Sequence, residues 1–69
     1  MRVWLRELRE DKTQLAMAQT LGIVQGYYSA IENGNKTPHI NKAKKFARIL
    51  GVDWTLFYED KDGSKEQAS

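Results

Sequence analysis

The chain has 69 residues, no cysteine and a formal net charge of +2, which favours one small domain and excludes a disulfide framework or a thiolate metal site. Its apolar runs are too short to span a bilayer, and "MRVWLRELRE" lacks the apolar stretch and cleavage site of a signal peptide, so a cytoplasmic setting without a membrane is expected. Residues 1–12 carry +1, residues 13–58 carry +3 and residues 59–69 carry −2, a mild basicity that permits nucleic-acid binding without establishing it.

Residues 2–11 read as a helix, because Trp4 and Leu8 are four apart and Met1, Leu5 and Leu8 share a face. "TQLAMAQTLG" reads as a second, short helix. Thr13 is a good N-cap, since its hydroxyl accepts from an otherwise unpaired backbone N–H. Leu15, Ala18 and Leu21 fall at helical spacing with Met17 beside them, and Gly22 suits a left-handed residue past the helix end. "VQGYYSAIEN" reads as a third helix, about 24–33, with Tyr28 and Ile31 facing inwards. Gln25, Ser29 and Asn33 recur every four residues on its other side, with Gly26 and Ala30 beside them and Tyr27 on the flank. That stripe carries amides and small residues and no long charged side chain. Gly34 is the expected stop.

"NGNKTP" has turn composition, and Pro38 discourages helix at Thr37. A fourth helix follows over 39–50, where Ile40, Ala43, Phe46, Ala47 and Leu50 keep a helical period and Lys42, Lys44, Lys45 and Arg48 take other faces. Gly51 ends it. Asp53 then caps a last short helix, "WTLFYE". No stretch alternates like a strand, so the expected class is all-α. The expected organisation is a five-helix domain over 1–59 and a disordered polar tail over 60–69.

Two short helices joined by a tight glycine turn make a helix-turn-helix candidate. A B-DNA major groove is about 12 Å wide and admits one α-helix, and an amide at the reader's exposed end can pair with adenine. Small residues let the helix backbone come close. "TQLAMAQTLGIVQGYYSAIENG" resembles the helix-turn-helix of the lambda-repressor-like (Xre/Cro) regulators. The shared pattern is Thr-Gln, an apolar residue and Ala, Leu-Gly, an aliphatic, and finally Ile-Glu-Asn-Gly. The likeness continues through "TPHINKAKKFARILGVDWTLF" and covers residues 1 to about 58.

The resemblance implies a sequence-specific regulator of transcription, a repressor above all, that binds a double-stranded, palindromic operator through helix 3. It implies base-facing positions at Gln25, Gly26, Ser29 and Ala30, and phosphate contacts from Asn33, Asn35 and Lys36. It places Gln14 where the bracing helix meets phosphate and buttresses Gln25. Tyr27 is a flanking candidate for phosphate contact. Arg9 and Glu32 match a structural ion pair between the first and third helices.

Two departures stand out. "EDKTQ" is about two residues shorter than the family's usual connection. Val24 stands where the reader's N-cap is usually Ser or Thr, a loss of about 1 kcal/mol. Gly26 in the first turn costs up to ~1 kcal/mol more relative to alanine.

His39 stands alone, without ligands at metal spacing, and no residues group into a catalytic set, so no metal, cofactor or enzymatic activity is expected. Trp54, Phe57 and Tyr58 are the expected homodimer surface, or else close the core. The alternative function is a helical protein–protein adaptor or antitoxin-type module that keeps the fold and binds protein through the same stripe.

Overall fold

The structure is a computed structural model, and it describes residues 1–59. The expected polar tail, 60–69, lies outside the described residues. Four α-helices follow one another: α1 (Val3–Arg9), α2 (Gln14–Leu21), α3 (Gln25–Asn33) and α4 (Ile40–Leu50). The expected fifth α-helix is instead a 3-10 helix, Trp54–Tyr58. Five residues are too few to repay α-helix nucleation, and the aromatic and β-branched residues here gain little from it. The Leu56 N–H donates three residues back to the Asp53 carbonyl at 3.1 Å. No strand occurs among the described residues.

The chain divides into two compact units, Met1–Thr37 and a second that starts at Pro38. The first holds α1 to α3. There α2 and α3 pack together and α1 packs on α3. Leu5, Met17, Ala18, Leu21, Tyr28 and Ile31 are its buried apolar residues. Removing such side chains from water contributes roughly 1.5–3 kcal/mol for each large one.

Local chemistry sets most of the helix ends. Thr13 Oγ1 accepts from the Ala16 N–H at 3.0 Å and starts α2. Gly22 and Gly34 adopt left-handed backbone, with φ of 74° and 85°. Beyond each glycine the chain folds back. The Ile23 N–H reaches the Ala18 carbonyl and the Asn35 N–H reaches the Ala30 carbonyl, both at 2.9 Å. These are Schellman closures, which satisfy carbonyls that a helix end leaves unpaired.

α1 is shorter than the expected 2–11. Of its expected inward face only Leu5 is buried, while Met1 and Leu8 are exposed. Leu15, expected to face inwards from α2, is also half exposed. The short connection explains where α1 stops. Glu10 takes φ 52° and ψ −119°, the first corner of a type II′ turn, where glycine is favoured. The Lys12 N–H closes that turn onto the Arg9 carbonyl at 2.9 Å.

In the second unit the His39 side chain accepts from the Asn41 N–H at 3.4 Å and caps α4. Ala43, Phe46, Ala47 and Phe57 are buried, whereas Ile40 is 44% exposed. Phe46 and Phe57 meet edge to face with ring centroids 6.3 Å apart. Phe57 is therefore a core residue and is withdrawn from the expected dimer surface. Trp54 is half-buried and Tyr58 exposed. Their rings cross edge to face at 5.8 Å, and Lys44 Nζ lies 5.3 Å from the Trp54 centroid. The Tyr58 hydroxyl donates to the Pro38 carbonyl. Among the described residues no helix is long and apolar enough to cross a membrane.

Candidate nucleic-acid interface

The helix-turn-helix comprises α2, the residues Gly22 to Val24, and α3. α3 begins at Gln25, and Val24 is its N-cap without a side-chain acceptor. The first N–H with an intrahelical partner is that of Tyr28, 3.1 Å from the Val24 carbonyl. The N–H groups ahead of it project from the helix end without an intrahelical acceptor. Gln25, Gly26 and Asn33 are exposed, and Tyr27, Ser29 and Ala30 are half-buried. Asn33 Nδ2 lies 3.5 Å from Ser29 Oγ, so the two side chains share the outward stripe.

Gly26 has no internal explanation. Its backbone is helical without a positive φ, and, beyond its chain neighbours and the backbone of its own helix, a Cβ placed there would meet no atom within 4 Å. The fold thus has room for a side chain at a position where glycine weakens the helix.

The inward face of α3 is a polar hub on Glu32, which is 2% exposed. Its carboxylate accepts from Arg9 Nε at 2.8 Å, Gln14 Nε2 at 2.7 Å and the Tyr28 hydroxyl at 3.0 Å. One carboxylate therefore ties α1, α2 and α3 together. Burial alone would push the Glu32 carboxyl up, but the bonds from Arg9, Gln14 and Tyr28 outweigh it and hold it below the usual carboxylate range. Burial, and then its bond to Glu32, push the Tyr28 hydroxyl well above the usual tyrosine range. The expected Arg9–Glu32 pair is present. Gln14 opens α2 as expected, and one of the two N–H groups of its amide is given to Glu32.

At the far end of α3 the backbone closes on itself. The Asn35 and Lys36 N–H groups both donate to the Ala30 carbonyl, at 2.9 and 3.1 Å. With those two N–H groups taken, Asn35 and Lys36 can meet an anion through their side chains. Asn35 and Lys36 are exposed, and Lys36 Nζ lies 6.0 Å from the Tyr27 ring centroid. Tyr27 and Lys36 thus share one flank of the stripe, a grouping the sequence order does not reveal.

Sequence reasoning missed Arg2, which is 2% exposed. Its guanidinium donates to the Ile31 carbonyl, to the Lys36 carbonyl at 2.9 Å and to Thr37 Oγ1 at 2.7 Å. Those partners lie about thirty residues away, beyond any local pattern. Tyr28 and Glu32 did carry a signal, since four-residue spacing on a helix lets their side chains meet. Among the described residues no group of three His, Asp or Glu side chains is placed to hold a metal ion.

A helix-turn-helix family model matches residues 5–57, a span that includes α2, α3 and every expected contact residue. The chain is also similar to the uncharacterized HTH-type transcriptional regulator YqaF of Bacillus subtilis (strain 168). The two are 41% identical over 75 residues, which cover 99% of each chain. No solved structure matches.

Proposed function

Since the chain belongs to the helix-turn-helix family of DNA-binding transcriptional regulators, we propose that it reads the major groove with α3. Gln25 is the discriminating residue, and a good bidentate contact from it to adenine is worth roughly 1–3 kcal/mol. Ser29 extends the reading stripe, and Asn33 continues the same face to the phosphate. Gly26 and Ala30 let the helix approach. Tyr27, Asn35 and Lys36 meet phosphate, and Gln14 braces the start of α2 against the backbone. The observation that carries this reading is Gly26, a helix-weakening residue with empty space around it. A surface outside the protein is what would need it small.

The expected outcome is repression, because occupying a groove site blocks other proteins without any further activity. Few basic side chains flank the reader, so one copy binds modestly. Two copies on a palindromic operator bind more tightly, with half-sites about 10 base pairs apart. Trp54 and Tyr58 supply the mating surface, now without Phe57. The setting is cytoplasmic, alongside the DNA it regulates.

Selection of random duplexes on the purified protein tests the reading. We expect one enriched motif, lost or broadened in Gln25→Ala. Folded protein that enriches no motif would exclude sequence-specific regulation. Binding should also weaken steeply as salt rises, whereas an adaptor gripping protein through this stripe would hold.

A further inference from the structure

We propose that Arg2 is a positioning residue for DNA binding. It holds the turn after α3 so that the Asn35 and Lys36 side chains meet phosphate, and it does not touch DNA itself. The inference rests on the reading that Asn35 and Lys36 contact phosphate. Arg2 precedes the residues that the family model matches.

The geometry is that of a clamp. The Arg2 guanidinium bridges Ile31, in the last turn of α3, to Lys36 and Thr37 beyond Gly34. The Arg2 backbone N–H adds a bond to the Glu32 carbonyl at 2.7 Å. A planar guanidinium satisfies several acceptors in one fixed arrangement, which a lysine ammonium cannot reproduce. The Asn35 and Lys36 N–H groups are already taken by Ala30. Phosphate contact at this turn therefore depends on where the backbone holds two side chains, and Arg2 holds that backbone by the Lys36 carbonyl.

Charge points the same way. The C-terminal carbonyls of a helix carry about half a negative charge, which would repel a nearby phosphate. Arg2 places a buried cation on those carbonyls. The turn then presents the Lys36 ammonium without an opposing field behind it.

Arg2→Lys tests the proposal, because it keeps the charge and loses the fork. With folding confirmed by circular dichroism, affinity for the selected operator should fall about tenfold, equal to 1.4 kcal/mol. The slope of log affinity against log salt should shrink by about 0.9 for each phosphate that the variant no longer neutralises. Because Arg2 acts through Asn35 and Lys36, adding Arg2→Lys to the double variant Asn35→Ala/Lys36→Ala should weaken binding no further. Thr37→Val removes one acceptor and leaves Arg2 in place. It should give a smaller loss with a smaller change of slope in the same direction, and it decides the matter if Arg2→Lys does not fold. Folded variants with unchanged affinity and slope would overturn the role of Arg2. If Asn35→Ala and Lys36→Ala also bind as the parent does, the phosphate reading of the turn falls as well. If those two weaken binding and the Arg2 and Thr37 variants do not, the Arg2 inference alone is lost.

Discussion

α3 follows Val24, an N-cap that is 73% exposed and offers no side-chain acceptor, and its second residue is a glycine with open space beside it. It ends on Gly34 with a Schellman closure, a buried arginine on its carbonyls and a buried glutamate bonded to three neighbours. One end is left open and the other is fixed several times over. The difference separates two tasks along a single nine-residue helix. The C-terminal half is anchored to the rest of its unit. The N-terminal half leaves its first N–H groups outside the intrahelical ladder and keeps a clear approach at Gly26, which base reading needs and stability does not.

The contrast breaks most visibly at Glu32. Glu32→Ala leaves the Arg9, Gln14 and Tyr28 donors without their acceptor and should lower stability by about 3 kcal/mol. Urea unfolding followed by circular dichroism measures this, and a loss under about 1 kcal/mol would mean that the hub does not anchor α3. The opposite end should respond the other way. Val24→Ser supplies the missing cap and should raise stability by about 1 kcal/mol. If thermal unfolding shows no gain, the open end is not an energetic deficit.

Gly26→Ala should add up to ~1 kcal/mol of stability, while Gly26→Leu keeps the fold and weakens operator binding. Unchanged binding by Gly26→Leu in a gel-shift titration would make the glycine a tolerated defect. The mildest test uses pH. The Glu32 carboxyl lies below its usual range when folded, so its contribution is complete above the unfolded value and lost as pH falls through the folded one. Tyr28 is raised, so its contribution is complete below the usual tyrosine range and lost as pH climbs through the raised value. Stability should thus form a plateau with an acid and an alkaline limb. Glu32→Gln should flatten the acid limb, and an unaltered limb would place its origin elsewhere.

What the sequence disclosed follows the range of the forces involved. Thr13, Asp53, Gly22, Gly34 and Gly51 act within a few residues, and each marks the boundary expected of it. Tyr28 and Ile31 face inwards because spacing alone orients them. Arg2 was not legible, since its three acceptors come into reach only once α3 and the turn behind it have formed. Nor was the 3-10 geometry of Trp54–Tyr58, where hydrogen-bond register is decided by a short segment's packing. Gln14 was placed correctly on the chain, but its amide bond to Glu32 depends on how α2 meets α3. The reading stripe was legible as a face, and its pairing of Tyr27 with Lys36 came only from the fold.

Glu10 has a consequence for how such a chain can vary. A glutamate held at positive φ stores roughly 1–3 kcal/mol of conformational strain, and it does so in a turn whose side chain plays no part in the reading stripe. Replacing it with glycine, or lengthening the connection, would relax the backbone while leaving Gln25, Ser29 and Asn33 untouched. The molecule therefore carries a reserve of robustness at one corner that is independent of its specificity. Changes that alter which operator is read could be absorbed by drawing on that corner.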